Sequence, residues 1–252
     1  MLLAIDIGNT NIVLGLFEGD GLKAHWRVSA DKKRTHDEYG ALLISLITRV
    51  SRGAISGSII CSVVPELTPV IKSALKKHLG LEGLIAGEDI PFPIPVLTDN
   101  PREVGADRIV NVVAAYREHK TSLIVVDFGT AVTFDYVTTK GEYGGGVIAP
   151  GVAISAGALF EKTAKLPKVD VIKPASVIGK NTVSAMQSGI YWGFIGLVDG
   201  IIERMMAELK DTPEIAATGG LAPLVAGQSK YVASSDEFLT LKGLKIIYEG
   251  KR

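Results

Sequence analysis

The sequence predicts an α/β fold made of two related lobes, and two observations support this. Segments with the character of β-strands alternate along the chain with segments of helical periodicity. A short pattern of strand, polar turn and strand at the N-terminus also recurs about half a chain later. Because one pattern is duplicated in two α/β halves, the halves are expected to share a topology.

The duplicated pattern is a predicted β-hairpin with a polar tip. Its first copy has strands over residues 2–5 and 12–17, joined by Asp6-Ile7-Gly8-Asn9-Thr10. Its second copy has strands over residues 123–126 and 132–137, joined by Asp127-Phe128-Gly129-Thr130-Ala131. We place the boundary between the lobes near residue 118, which gives an N-terminal lobe over 1–118 and a C-terminal lobe over 119–252.

The remaining elements follow in chain order from periodicity and turn residues. The pattern predicts strands over 23–29 and 57–64 and near Ile215, and helices over 37–50, 65–79, 109–118 and 181–209, from Val152 and from Glu237. The run Thr35-His36-Asp37-Glu38 has the form of a capping box. Gly19 to Ala24 fits a dinucleotide fingerprint, but no helix follows it, so it is interpreted as a hairpin turn. The charges of the last helix, including Lys245, are interpreted as a solvated face.

Composition narrows the classes of function. The 252 residues are 47% hydrophobic, which is enough for a large core. Lys plus Arg and Asp plus Glu are both 27, so no overall field draws the chain to nucleic acid or to an anionic membrane, and neither partner is expected. No signal peptide or membrane span is predicted, which indicates the cytoplasm. The single cysteine, Cys61, lies in an apolar run and is expected to be buried.

The two hairpin tips have the chemistry of phosphate-binding loops. Glycine lets the backbone approach a ligand closely, and the hydroxyl and amide groups beside it can donate to phosphate oxygens. A carboxylate at the strand end can hold a hydrated cation that bridges those phosphates. Asp-x-Gly is also ordinary turn chemistry, but its duplication in two lobes favours a pair of loops that grip a polyphosphate.

A second motif runs from Asp99 to Arg108 and leads into a helix. Asp107 would lie in the first turn of that helix, where an acidic side chain is favourable with the macrodipole and stays ionised at neutral pH. The residue is therefore either structural or a general base that accepts a hydroxyl proton during phosphoryl transfer.

Three further segments contain candidate binding residues. The stretch Gly144-Gly145-Gly146-Val147-Ile148-Ala149-Pro150-Gly151 precedes a predicted helix, and its glycines form either an anion cradle or a tight bend. Thr182 opens the long helix and is either a ligand contact or a neighbour of the N-cap. Thr218-Gly219-Gly220 follows a strand.

The two loops resemble those of the acetate and sugar kinase, heat-shock chaperone and actin superfamily. This resemblance implies two actin-like, ribonuclease H-like lobes with a nucleotide cleft between them, and it identifies ATP as the nucleotide. The run Asn100-Pro101-Arg102-Glu103-Val104-Gly105-Ala106-Asp107-Arg108 is similar to the substrate motif of type III pantothenate kinases. Similarity to that family extends over essentially the whole chain and implies phosphorylation of pantothenate, the first step of coenzyme A synthesis.

The family resemblance implies a role for each candidate residue. Asp107 is the proposed base, Asp127 binds a monovalent cation (K⁺ or NH₄⁺), and Asp6 binds Mg²⁺ through water. Residues implied in ATP binding are Asp6, Ile7, Gly8, Asn9, Thr10, Asn11, Ile12, Val13 and Thr130. Residues implied in pantothenate binding are Thr98, Gly105, Ala106, Asp107, Arg108 and Thr182. Thr218-Gly219-Gly220 is similar to the adenosine-side turn of the superfamily.

One position departs from the family pattern: Thr98 occupies a place where a tyrosine usually lines the pantothenate pocket. Arg108 could hold either the substrate carboxylate or the moving phosphoryl group. The resemblance also implies a homodimer, for which residues 109–115 are candidates, although they could equally be intramolecular core. Two other functions stay open, a transcriptional accessory factor and another small-molecule kinase of the superfamily.

Overall fold

The computed structural model describes residues 1–50 and 53–251, which form two compact units. The first unit contains Met1–Pro95, Asp99–Arg117 and the C-terminal stretch from Leu239. The second contains Val96–Thr98 and Glu118–Phe238. Domains over 1–118 and 119–252 stay a prediction, and the structure adds that the last helix packs with the first unit.

The structure confirms the α/β class, with two sheets and seven α-helices in the described residues. The strands are β1 (Leu2–Ile7), β2 (Asn11–Glu18), β3 (Gly21–Ser29), β4 (Gly57–Ser62), β5 (Gly83–Ile85), β6 (Leu123–Phe128), β7 (Ala131–Val137), β8 (Tyr143–Pro150) and β9 (Glu214–Thr218). The α-helices are α1 (His36–Thr48), α2 (Thr68–Ala74), α3 (Ala106–His119), α4 (Val152–Glu161), α5 (Thr182–Glu208), α6 (Ala222–Val225) and α7 (Leu239–Glu249). None of these helices is long and apolar enough to cross a membrane.

The first sheet has the strand order β3-β2-β1-β4-β5. Its central strand β1 runs antiparallel to β2 and parallel to β4, which places Asp6 opposite both Val13 and Cys61. Leu3 and Ile5 on β1 are fully buried in the core of this unit. Asp6 therefore lies near the carboxyl end of a buried strand, which is where α/β proteins commonly bind ligands.

The second sheet repeats this arrangement with the order β8-β7-β6-β9. Strand β6 runs antiparallel to β7 and parallel to β9, and Asp127 lies opposite Thr133 and Thr218. Its side chains Val126 and Phe128 are buried against the long helix α5 in a second core. The predicted duplication of the opening hairpin is therefore confirmed in three dimensions.

Most predicted local signals are confirmed. Thr35 Oγ1 accepts a hydrogen bond from the Glu38 amide at 3.3 Å, and Glu38 Oε2 accepts one from the Thr35 amide at 2.7 Å, so the capping box is formed. Gly19 has a φ of 58° in the turn between β2 and β3, as expected for a hairpin. The helix expected over 65–79 begins at Thr68 and ends in a π-helical turn over Leu75–Leu79.

Two expectations are wrong. Gly144, Gly145 and Gly146 form neither a cradle nor a bend before a helix but part of strand β8, which pairs with β7, and only the last glycine of the stretch, Gly151, directly precedes helix α4 as its N-cap. Lys245 is not on a solvated face: it is only 9% exposed, and its ammonium group contacts Asp20 Oδ1 at 2.9 Å and Glu249 Oε1 at 2.8 Å. This ion pair joins α7 to the turn that follows β2, within the first unit.

Candidate active site

The first hairpin tip exposes polar groups at the end of β1. The Gly8 amide donates to the Asn11 carbonyl at 3.0 Å, which closes the turn and leaves Asn9 and Thr10 exposed. Ile7 and Ile12 point into the core, being 0% and 1% exposed. Of the predicted ATP-binding residues in this loop, those two isoleucines could reach a ligand only through their backbone.

Asp6 and Asp107 both lie close to Cys61 in the first unit. Asp6 and Cys61 are opposite each other on β1 and β4. Burial raises the pKa of the Cys61 thiol well above its ordinary value, and the negative charges of Asp6 and then Asp107 raise it further. The two carboxylates that the sequence predicts for metal binding and for proton transfer therefore both act on the Cys61 thiol.

Asp107 has a defined orientation in the first turn of α3. Its Oδ1 accepts a hydrogen bond from the Arg108 amide at 2.8 Å. A Cβ atom on Gly105 would lie 2.6 Å from the same oxygen, so a larger residue at this position would displace the carboxylate. Gly105, Ala106, Asp107 and Arg108 are all partly buried.

The segment before α3 forms a small structure of its own. Pro101–Glu103 is a single 3₁₀ turn capped by Asn100, whose Oδ1 accepts from the Arg102 amide at 3.3 Å and whose Nδ2 donates to Glu103 Oε1 at 2.7 Å. The Asn-Pro-x-Glu part of the motif is thus self-capping. Asn100 and Glu103 hold the backbone that leads to Gly105.

Helix α3 is fixed by the last helix, a feature that sequence reasoning missed. Thr240 Oγ1 donates to Asn111 Oδ1 at 2.7 Å, and Asn111 is only 1% exposed. A Cβ atom on Gly243 would overlap the Val110 carbonyl oxygen, so the two helices are in close contact. The apolar residues of α3 are therefore intramolecular core, with exposures of 0–4% at Ile109, Val110, Val112, Val113, Ala114 and Ala115.

The second hairpin tip is connected to the start of α4. The Gly129 amide donates to the Ala131 carbonyl at 3.1 Å, and Gly129 and Thr130 are exposed. The Gly151 amide donates to the Thr130 carbonyl at 3.2 Å, and a Cβ atom on Gly151 would overlap that oxygen. The N-terminus of α4, which favours anions, therefore lies next to Thr130.

Asp127 is in contact with the turn that follows β9. Gly219 has a φ of 95°, and its Cβ atom, if present, would lie 2.6 Å from Asp127 Oδ1 and 2.7 Å from the Phe128 backbone. Thr218, directly before it, donates through Oγ1 to the Asp236 carbonyl at 2.7 Å. The structure thus places Thr218-Gly219-Gly220 beside the second hairpin tip.

The other two predicted substrate contacts, Thr98 and Thr182, also belong to the second unit. Oγ1 of Thr98 is buried and has no hydrogen-bond partner in the described part of the chain. Thr182 is exposed and is the first residue of α5; the N-cap is Asn181, which exchanges hydrogen bonds with Ser184 at 2.9 and 3.2 Å. Because Asn181 caps the helix, the Thr182 side chain is not needed for that purpose.

The predicted site residues therefore fall into two groups. The first unit holds Asp6 to Val13 and Gly105 to Arg108, and the second holds Thr98, Asp127, Thr130 and Thr182. No group of three or more His, Cys, Asp or Glu side chains that could hold a metal ion is found over residues 1–50 and 53–251. A metal in either unit would need ligands besides protein carboxylates, and Mg²⁺ often takes these from water and substrate phosphates.

Comparison with known proteins places the chain in a family. The sequence profile of the type III pantothenate kinases matches residues 2–204. The chain belongs to the type III pantothenate kinase family. It is 55% identical over 254 aligned residues to a type III pantothenate kinase from Geobacter sulfurreducens and 54% identical to one from Pelobacter propionicus, with 100% of each chain covered in both cases.

Solved structures of other proteins have folds similar to that of this type III pantothenate kinase family member. A Baf family protein from Campylobacter jejuni superposes with a TM-score of 0.62 at 20% identity, covering 98% of both chains. A ROK family glucokinase from Streptomyces griseus, solved with glucose and AMPPNP, superposes with a TM-score of 0.57 at 11% identity over 100% of this chain and 99% of its own. At such low identity these similarities support the two-lobed kinase fold alone.

Proposed function

We propose that this chain transfers the γ-phosphoryl group of ATP to the hydroxyl of pantothenate, the first step of coenzyme A synthesis. The observation that carries the proposal is full-length identity of 51% to 55% with relatives named type III pantothenate kinase. The reaction uses ATP together with a divalent metal ion. The cytoplasm is the compartment we propose for it, because ATP is available there.

The two hairpin tips are the proposed phosphate-binding loops. Asn9, Thr10 and Thr130 are exposed at these tips and carry amide and hydroxyl donors suited to phosphate oxygens. The N-terminus of α4 beside Thr130 adds a favourable potential for an anion. Within Asp6 to Val13, residues whose side chains point into the core would contact ATP through their backbone.

Asp6 fits a role in holding Mg²⁺ through water. Its carboxylate is partly buried at the end of β1, next to the exposed tip, and Mg²⁺ is usually held by one or two carboxylates, waters and substrate phosphates. When bound with ATP, the ion neutralises phosphate charge. The role of Asp6 is then to orient a hydrated cation at the first loop.

Asp107 is the proposed general base. Its carboxylate lies in the first turn of α3, where Oδ1 accepts a hydrogen bond from the Arg108 amide, and its role would be to receive the proton of the substrate hydroxyl. A positioned base contributes about 10²- to 10⁴-fold to the rate of such a step. Alignment and charge neutralisation account for the larger part of phosphoryl transfer.

Pantothenate is proposed to contact Gly105, Ala106, Arg108, Thr98 and Thr182. The hydroxyl of Thr98 supports this role: it is buried and has no hydrogen-bond partner among residues 1–50 and 53–251, and such a polar atom is commonly satisfied by a ligand or water. Arg108 is a cation suited either to the carboxylate of pantothenate or to the phosphoryl group.

A monovalent cation, K⁺ or NH₄⁺, is proposed at Asp127. The carboxylate lies at the end of β6 and touches Gly219, so it is held near the second loop. An anionic group near a polyphosphate repels it, and a cation between the two converts the repulsion into attraction.

A homodimer is proposed for the assembly, and the second unit supplies support for it. Several large apolar side chains there are 39–80% exposed, namely Ile154, Leu159, Phe160, Val177, Ile178 and Val183. On α5, Gly189, Gly193 and Gly196 have open space where a Cβ atom would point, so a partner helix could approach closely. Sedimentation should give a particle near twice the 26.7 kDa chain mass, and Phe160→Glu should shift it towards the monomer.

The activity is tested by measuring ADP release with pantothenate and with a panel of sugars and short hydroxy acids. Among these acceptors, we expect turnover only with pantothenate. Mass spectrometry should confirm the formation of 4'-phosphopantothenate. Preferred turnover of a sugar would identify another kinase of the same fold. No turnover with any acceptor would favour an accessory, non-catalytic role.

A further inference from the structure

Asp135 is a carboxylate buried in the middle of strand β7. It is 0% exposed, yet it lies outside the residues proposed for substrate and metal binding. Its Oδ1 accepts a hydrogen bond from the Tyr143 hydroxyl at 2.8 Å, and its Oδ2 accepts one from Thr133 Oγ1 at 3.0 Å. Burying a carboxylate costs free energy, and hydrogen bonds are needed to offset that cost. A buried carboxylate at this position therefore indicates a specific role for Asp135.

Tyr143 connects this carboxylate to the edge of the sheet. The residue is 1% exposed and begins β8, which is the outer strand of its sheet. Directly after it the pairing with β7 shifts by one residue, because Tyr136 lies opposite Gly145 and Val137 opposite Tyr143, which leaves Gly144 as the extra residue of a bulge. Bulges of this kind re-aim a side chain at a sheet edge.

At the outer edge of β8, the backbone of Tyr143 pairs with the segment that contains Thr98. The Leu97 amide donates to the Tyr143 carbonyl at 2.9 Å, and Val96 forms a parallel bridge with Tyr143. Val96–Thr98 therefore belongs to the second unit, although the residues on both sides of it belong to the first. The chain leaves this contact at Thr98, whose Oγ1 is buried without a partner in the described residues.

We propose that Asp135 and Tyr143 are a positioning pair, which sets the place of Thr98 for the acceptor substrate through the Leu97 hydrogen bond. The tyrosine hydroxyl is held by Asp135, and the tyrosine backbone in turn holds Val96 and Leu97. The inference rests on the proposed function, because Thr98 is taken as a pantothenate contact. It assigns a role to two residues that touch neither substrate themselves.

The same sheet offers a matched control. The Tyr136 hydroxyl donates to Asp211 at 3.1 and 3.2 Å, so a tyrosine on β7 is again bound to a carboxylate. This pair has no hydrogen bond to Val96–Thr98 in the described residues. Tyr136→Phe therefore removes the same chemical group from the same sheet without disturbing the proposed connection.

The first test compares Tyr143→Phe with Tyr136→Phe in steady-state kinetics. We expect Tyr143→Phe to raise KM for pantothenate about three- to tenfold, the size of one lost hydrogen bond, with KM for ATP within about twofold of the parent. Tyr136→Phe should leave both constants within about twofold. Equal effects of the two variants, or a matching rise in KM for ATP, would overturn the proposal.

The second test removes the backbone donor at an exposed residue, so that it does not depend on a core substitution. Leu97 is 56% exposed, and Leu97→Pro deletes its N–H while Leu97→Ala keeps it. Leu97→Pro should raise KM for pantothenate by a factor similar to that of Tyr143→Phe, and Leu97→Ala should not. In a Thr98→Ala background the added effect of Tyr143→Phe should vanish, because the pair acts through Thr98.

Hydrogen exchange at the Leu97 amide tests the positioning role independently of the catalytic activity. The Leu97 amide should exchange faster in Tyr143→Phe than in the parent and in Tyr136→Phe, whichever acceptor the enzyme uses. Unchanged exchange at Leu97 would overturn the positioning pair. Absence of pantothenate turnover in the parent protein would instead overturn the proposed function.

Discussion

Gly105 and Asp107 are so close that a Cβ atom at position 105 would lie 2.6 Å from Oδ1 of Asp107. The same oxygen accepts a hydrogen bond from the Arg108 amide at 2.8 Å. The Arg108 hydrogen bond therefore holds this oxygen, and the lack of a side chain at Gly105 leaves room for it. Such pre-orientation is what a general base requires before the substrate hydroxyl arrives.

Asp107→Asn should lower kcat by about 10²-fold or more with little change in KM for ATP, because the amide keeps the shape but cannot accept the proton. Asp37→Asn is the matched control, since Asp37 also lies in the first turn of a helix, α1. Lys77, and then His78, lower the pKa of Asp37 to about 2, so this control removes an ionised group that plays no part in turnover. Full activity of Asp107→Asn would remove the base assignment.

Gly219→Ala should raise KM for ATP about tenfold or more and lower the melting temperature. The residue has a φ of 95°, and its new Cβ atom would meet both Asp127 Oδ1 and the Phe128 backbone. Gly227→Ala is the control for backbone strain in the absence of a steric clash. Gly227 has a φ of 75°, but a Cβ atom there would have nothing within 4 Å. Both variants carry backbone strain of about 1 kcal/mol, and only Gly219→Ala should affect ATP use.

Potassium or ammonium should activate the enzyme, and sodium should substitute poorly because it is smaller and more tightly hydrated. Asp127→Ala should weaken ATP use and abolish the difference between potassium and sodium. Turnover is compared in matched potassium and sodium buffers at equal ionic strength, with the variant checked for folding by circular dichroism. Equal rates of the parent enzyme in the two salts would rule out the cation site.

Thr98→Tyr should lower KM for pantothenate and leave KM for ATP nearly unchanged, because a threonine is too short to supply the ring and hydroxyl that usually line this wall. Initial rates over a range of each substrate give both constants. Thr98→Val is measured beside it to show the contribution of the buried hydroxyl, which this variant replaces by a methyl group. Weaker use of pantothenate by Thr98→Tyr would mean that another side chain already fills the wall.

Cys61 should be unreactive in the folded protein. The side chain is 0% exposed, and burial together with the charges of Asp6 and Asp107 raises the pKa of its thiol, so the reactive thiolate is scarce at neutral pH. A thiol reagent such as DTNB should react slowly with the native enzyme near neutral pH and rapidly in guanidinium chloride. Fast reaction of native protein would show that the strand end at Asp6 opens to solvent.

Several features of the fold and site could be predicted from the sequence because they depend on neighbouring residues. The two hairpins are encoded by apolar strands around Asp-x-Gly turns, and the capping box at Thr35 is encoded within a single short run, Thr35 to Glu38. The place of Asp107 at the start of a helix follows in the same way. Local sequence was therefore sufficient for the α/β class, the duplicated lobes and the position of Asp107, whereas its role as a base is implied by the family resemblance.

Other features depend on contacts between residues that are far apart in the chain, and these only the tertiary structure decided. Parallel pairing of β1 with β4 brings Asp6 to Cys61, and the pairing of β6 with β9 brings Gly219 to Asp127. Packing of the last helix in the first unit buries Lys245, although its charge predicted a solvated face. The pairing of parallel strands and long-range ion pairs leave no periodic pattern in the local sequence. For this reason these contacts could not be predicted from the sequence by itself.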